Sequence, residues 1–142
     1  MWRDWMPNAS IFGIDIHLPD EPGGSIKYFK GNQASPNDMA GTMEKIGTVD
    51  VIIDDGGHVA SDVLKCLELL WPFLKPGGLY VIEDLHVGRD DRARQKGGQS
   101  AMKLGTSAVT VLEHFRSLTN PDPMLGSFEI FNDNICFIRK PS

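Results

Sequence analysis

The chain has 142 residues, 41% of them hydrophobic and 23% charged. That is the make-up of one globular domain, large enough to bury roughly 68% of its unfolded-chain surface. Fourteen basic residues against nineteen acidic ones give a net charge of -5, which sets nucleic acid aside as the default partner. No stretch reaches the roughly 20 apolar residues that span a bilayer and no apolar signal region opens the chain, so no membrane association is expected and the cytoplasm is the expected location.

Strand and helix signals then alternate without an obvious linker or repeat. Trp2, Trp5 and Met6 are suited to covering a hydrophobic gap, to self-association or to an ordinary packed N-terminal arm. Ile11-Phe12-Gly13-Ile14-Asp15-Ile16 reads as a short strand with an acid near its end, and Ser25-Ile26-Lys27-Tyr28-Phe29-Lys30 as a second that stops at Gly31. Pro19, Pro22, Gly23 and Gly24 leave little room for a long helix between them. A helix is expected over residues 38–46, with Gly41 a modest cost inside it.

Val49-Asp50-Val51-Ile52-Ile53-Asp54-Asp55-Gly56-Gly57-His58 is an apolar, β-branched run that ends in acids, the pattern of a buried parallel strand delivering carboxylates to one rim. Val59, Val63, Leu67, Leu70 and Leu74 recur at helical spacing after it, and Pro72 predicts that the last turn bends or begins anew. Lys75-Pro76-Gly77-Gly78 is expected to stop the helix and turn into a second acidic strand, Leu79-Tyr80-Val81-Ile82-Glu83-Asp84-Leu85-His86. The whole is a strand, helix, strand unit of a parallel sheet.

Residues 86–105 combine glycines with Arg89, Arg92, Arg94, Lys96 and Lys103, the composition of a solvated loop or of a mobile cover for an anionic or polyhydroxylated ligand. A helix is expected over residues 106–118, with Val109, Leu112 and Phe115 or Arg116 as its packing stripe. Ser127-Phe128-Glu129-Ile130-Phe131 and Asn134-Ile135-Cys136-Phe137-Ile138-Arg139, joined through Asn132 and Asp133, read as a terminal β-hairpin. Cys66 falls in the helical pattern and Cys136 in the last strand, with no metal-ligand spacing, so two buried thiols in a reducing compartment are expected rather than a disulfide.

Open parallel α/β sheets place their chemistry beyond the carboxyl ends of the strands. Asp55 and Asp84 converge there if their strands are neighbours, and paired carboxylates on a polar rim suit Mg²⁺. His58, three residues past Asp55, has an imidazole able to take a proton from a hydroxyl near neutral pH. The structural readings stand beside these: Asp54 as a turn or helix cap, Asp55 as a plain surface acid, His58 as a helix-entry hydrogen bonder, His86 as a loop anchor. Glu83 would need a partner if buried.

Taken together, Phe12-Gly13-Ile14-Asp15-Ile16, Gly31-Asn32-Gln33, the two acidic segments and the final Asn134 to Arg139 run resemble class I S-adenosylmethionine-dependent methyltransferases. Within that class they are most similar to the metal-dependent O-methyltransferases that act on macrolide sugars. The resemblance implies an α/β, Rossmann-like sheet in the order 3-2-1-4-5-7-6 with a C-terminal antiparallel hairpin. It further implies that Asp15 binds the cofactor ribose, that Asn32 and Gln33 flank the adenine, that Asp54 lies next to the cofactor, that Asp55 and Asp84 bind Mg²⁺ and that His58 is the base. The implied reaction is O-methyl transfer from S-adenosylmethionine to a sugar or other small-molecule hydroxyl.

The chain departs from that pattern at its start. Only ten residues precede Ile11, too few for the first strand and glycine-rich turn of the family, which cradle the cofactor's methionine and carry a third acidic metal ligand. Residues 1–142 are therefore expected to form a single partial methyltransferase-like domain, truncated at the N-terminus. It is a piece of a longer product, a chain completed by a partner or a second copy, or a sheet closed over the gap with activity altered or lost. Asn32, where the family often has Asp, is a smaller departure. The alternative readings are a degenerate binding or assembly module and a cephalosporin hydroxylase-like protein with similar acidic motifs.

Overall fold

The apolar runs become strands and the amphipathic ones helices, in the expected order. In the computed structural model, which describes residues 2–20, 26–57, 59–85, 103–104, 107–108 and 111–142, helix α1 (Trp2–Trp5) leads to strands β1 (Phe12–Asp15) and β2 (Lys27–Lys30). These two pair in parallel, from Phe12 with Lys27 to Asp15 with Lys30. Helix α2 (Pro36–Ile46) begins two residues earlier than expected. Ser35 caps it, its hydroxyl accepting from the Asp38 amide at 3.3 Å, and Pro36 sits in the first turn, where a missing N–H is no loss. Ser35→Ala should lower stability by about 1 kcal/mol, read as a shift of the urea midpoint at constant slope; an unmoved midpoint would show that the cap contributes nothing.

Strand β3 (Val49–Asp54), helix α3 (Ala60–Leu70), a 3₁₀ turn (Trp71–Phe73) and strand β4 (Leu74–Ile82) form the strand, helix, strand unit. The new turn falls at Pro72, as its missing N–H predicts. Lys75-Pro76-Gly77-Gly78 is not a turn outside the sheet, as expected, but an irregular stretch within β4. Val49 pairs with Leu74 and Val51 with Leu79, so the extra residues bulge from the ladder, with Gly77 at φ 73°. The bulge is held from outside: Gly77 N donates to Lys140 O at 3.1 Å, and the Arg139 guanidinium to Gly77 O at 3.0 Å. Lys140 Nζ also donates to the Trp71 and Leu74 carbonyls, both at 2.7 Å, satisfying the end of the 3₁₀ turn.

Strands β5 (Lys103–Leu104) and β6 (Ser107–Ala108) form a small antiparallel pair. The expected helix over residues 106–118 therefore contracts to α4 (Val111–Ser117). Its buried stripe is Val111, Leu112 and Phe115, while Arg116 is exposed and pairs with Asp133 at 2.6 Å. Val109 lies outside the described residues. Strands β7 (Ser127–Phe131) and β8 (Ile135–Arg139) form the expected hairpin, turning through Asn132 and Asp133 at φ 51° and 56°. Asn and Asp tolerate that left-handed backbone better than most residues.

The core forms on one face of the sheet. Tyr80, Ile82, Cys136 and Ile138 pack there against Val63, Cys66, Leu67 and Leu70 of α3, Leu112 and Phe115 of α4, and Met39 and Met43 of α2. Cys66 and Cys136 are buried free thiols, each with its pKa pushed up to about 12, chiefly by burial. That holds them protonated and unreactive.

Beyond the core, the strands divide into separate ladders, β1-β2 and β3-β4-β8-β7, besides the small β5-β6 pair. Among the described residues no strand lies between β1 and β3, each of which keeps one unpaired edge. Among the described residues the two ladders are not joined into one sheet. Alternation along β3 turns Ile52 and Asp54 to the core, whereas Val51 and Ile53 on the other face are 49% and 39% exposed. Apolar residues on both faces are the signature of a strand built to be covered twice. Trp5, 82% exposed, does not cover it.

Candidate functional site at the carboxyl edge of the sheet

The β3 and β4 ladder carries the acids. Asp54 pairs with Ile82, and Glu83 N donates to Asp54 O at 3.0 Å. Asp55 and Asp84 follow, one and two residues beyond the ends of adjacent parallel strands and on the same edge. Asp55 is exposed and Asp84 half-buried.

Asp84 adopts φ 55°, a left-handed backbone that is disfavoured for a residue with a Cβ. Its neighbour holds it there: Leu85 is buried to 1% exposure and donates its amide to Asn134 O at 2.8 Å. The hairpin thus sets the backbone on which one candidate metal ligand stands.

Asp54 is 6% exposed and turned into the domain. Its Oδ1 accepts from Gly56 N at 3.2 Å, and its Oδ2 from the Tyr80 hydroxyl at 3.4 Å. Burial first, and then the Asp54 carboxylate, raise the Tyr80 pKa well above its ordinary value, so the phenol stays protonated and available as a donor. Asp54 therefore closes the turn after β3 from below, the capping role open to it from the sequence.

From the other side, Gln33 Oε1 accepts from Gly57 N at 3.1 Å, a contact between residues 24 apart. A Cβ on Gly56 would lie 1.6 Å from the same Oε1, so glycine is required for this approach. The turn carrying Asp55 is thereby gripped between Asp54 and Gln33. Sequence reasoning missed this grip, since no spacing links Gln33 to Gly57. Tyr80 was more accessible: a phenol within an apolar run needs a polar partner.

Asp15, the last residue of β1, is exposed, and its Oδ1 accepts from His17 N at 2.7 Å. Gly31 N donates to Asp15 O at 2.9 Å, bringing the end of β2 alongside. Asn32 is also exposed; its amide donates to Asp38 Oδ2 and its Oδ1 accepts from Ala34 N, both at 2.9 Å. Asp15, Asn32, Gln33, Asp54, Asp55 and Asp84 all lie at or just beyond the carboxyl ends of parallel strands. His58, His86 and the proposed basic cover lie outside the described residues, although Lys103 itself belongs to β5.

Two carboxylates form an all-oxygen donor set, which suits Mg²⁺ rather than a soft metal. Among the described residues there is no group of three or more acidic, histidine or cysteine side chains placed to hold a metal. No described helix is long and apolar enough to cross a membrane.

The comparisons with known proteins point to methyltransferases. A family model described as a methyltransferase domain matches residues 22–85. A tetracenomycin-C rhamnosyl 3'-O-methyltransferase from Streptomyces olivaceus is 34% identical over 90% of this chain and 34% of its own length. The mycinamicin VI 2''-O-methyltransferase of Micromonospora griseorubida is 34% identical over 99% of this chain and 38% of its own. Among solved structures, the MycE methyltransferase from the mycinamycin biosynthetic pathway, in complex with Mg, SAH and mycinamycin VI, superposes with a TM-score of 0.76 at 25% identity. That match covers 99% of this chain and 38% of that one. The chain thus spans little more than a third of the length of these relatives.

Proposed function

Because the chain belongs to the class I S-adenosylmethionine-dependent methyltransferases, related to the sugar O-methyltransferases with Mg-bound structures, we propose that it serves Mg²⁺-assisted O-methyl transfer to a hydroxyl of a sugar or similar small molecule. The observation that carries this reading is the placing of Asp55 and Asp84 after neighbouring parallel strands. When bound, S-adenosylmethionine supplies an electrophilic methyl group and Mg²⁺ a Lewis acid for the acceptor hydroxyl. Asp55 and Asp84 would hold the cation through carboxylate oxygens. His58 would take the acceptor hydroxyl's proton on an imidazole nitrogen, as general base. Asp15 would accept hydrogen bonds from the ribose hydroxyls, Asn32 and Gln33 would flank the adenine, and Asp54 would lie next to the cofactor while keeping the turn after β3 in shape.

Asp15→Ala should weaken S-adenosylmethionine binding about tenfold or more, the loss of one or two hydrogen bonds to a charged acceptor. Titration calorimetry on the folded chain reads it, and unchanged affinity would remove Asp15 from the site. The direct test of function is product formation from S-adenosylmethionine and a panel of sugar acceptors, with Mg²⁺ and with chelator.

The open edges of β1 and β3 favour a second reading, a methyltransferase-like module that binds without turning over until a further strand completes the sheet. A second copy or another polypeptide would then be its partner. Ligand binding without product, in protein of native fold, would select it.

A further inference from the structure

The turn after β3 contains consecutive glycines, Gly56 and Gly57, between Asp55 and His58. Two glycines give the backbone wide freedom, yet a carboxylate that holds an ion has to be presented in a narrow geometry. The structure removes that freedom by gripping both amides. Gly56 N is held by Asp54 Oδ1 at 3.2 Å from within the same strand, and Gly57 N by Gln33 Oε1 at 3.1 Å from beyond the end of β2. The second bond runs from the β1-β2 ladder to the β3-β4 ladder, across the divide that no strand fills among the described residues.

Two observations mark Gln33 as chosen for this contact. Its Nε2 is buried with no hydrogen-bond partner among the described residues, a burden that an apolar side chain would avoid. Gly56 leaves no room for a Cβ, which would lie 1.6 Å from Gln33 Oε1 and 2.6 Å from its Cδ. The loop is shaped around the amide of Gln33.

We propose that Gln33 is a positioning residue for Asp55, its side-chain oxygen fixing the Gly57 amide and through it the turn that presents the carboxylate. Its side chain then serves the metal side of the rim, whatever its backbone contributes beside the adenine. The proposal rests on the reading of Asp55 as a metal ligand, and the experiment separates the two.

Amide hydrogen exchange at Gly57 and Mn²⁺ binding by calorimetry are measured on the 142-residue chain and on Gln33→Leu, Gln33→Glu and Asp55→Asn. Gln33→Leu removes the acceptor at similar size. It should speed Gly57 exchange at least about tenfold, as expected for one lost hydrogen bond, and weaken Mn²⁺ by about 10–100-fold, the usual effect of losing an outer partner of a metal ligand. Gln33→Glu keeps the acceptor and dispenses with the orphan donor, so it should restore protection of the Gly57 amide. Should Gln33→Leu fail to fold, Gly56→Ala displaces the same oxygen by steric contact and should produce both effects.

Wild-type exchange rates in the Leu variant, or wild-type Mn²⁺ affinity there alongside loss in Asp55→Asn, would overturn the proposal. If the unmodified chain binds no Mn²⁺, or Asp55→Asn binds it as tightly, the metal reading itself fails and takes the proposal with it. Fast Gly57 exchange in the Leu variant would then still identify the contact as structural only.

Discussion

Methyl transfer to a sugar hydroxyl should fall by about 10²–10⁴-fold in His58→Ala, the usual range for a lost general base, while binding of S-adenosylmethionine and Mg²⁺ persists. A sugar hydroxyl is a poor nucleophile until its proton leaves, and an imidazole is a side chain able to accept that proton. Only the neutral imidazole can accept the proton. Steady-state kcat/KM for both proteins, with calorimetry to confirm that the ligands still bind, makes the comparison. Undiminished activity in His58→Ala would defeat this mechanism even in a functioning methyltransferase.

Asp55→Asn and Asp84→Asn should each weaken Mg²⁺ by roughly 100-fold or more. Changes to residues that merely support metal ligands cost about 10–100-fold, and removing a ligand's charge acts on the ion directly. Asparagine is the informative replacement at position 84. The backbone there sits at φ 55°, a region that asparagine enters as readily as aspartate but alanine does not. Loss of ion affinity in Asp84→Asn thus reports on charge, whereas Asp84→Ala would mix charge with backbone strain. Chelator-insensitive turnover, or Mg²⁺ binding unaffected by both substitutions, would remove the metal from the reaction.

The local features that succeeded at the level of sequence are those governed by short-range chemistry. β-Branched runs bounded by glycine and acids marked β3 and β4. Apolar spacing marked α3, Pro72 marked the break that follows it, and Asn132 and Asp133 marked the hairpin turn. The segments that deviated depend on remote partners. Lys75-Pro76-Gly77-Gly78 reads as a turn in isolation, but Arg139 and Lys140 supply hydrogen bonds that keep it in the sheet as a bulge. The helix expected over residues 106–118 begins only at Val111, because Ser107–Ala108 pairs with Lys103–Leu104, a competition that intrinsic propensity does not register.

By itself the sequence determined the acids at the strand ends, their order and the family pattern they form, since each is a matter of residue type and spacing along the chain. Only the tertiary structure decided that the strands stay in separate ladders, that Asp54 turns inward to Tyr80, and that Gln33 and Asn134 fix the backbone around Asp55 and Asp84. The physical reason is range. Periodicity and turn chemistry act over a few residues, whereas these contacts join groups brought together by sheet packing, where burial and geometry select which hydrogen bonds form.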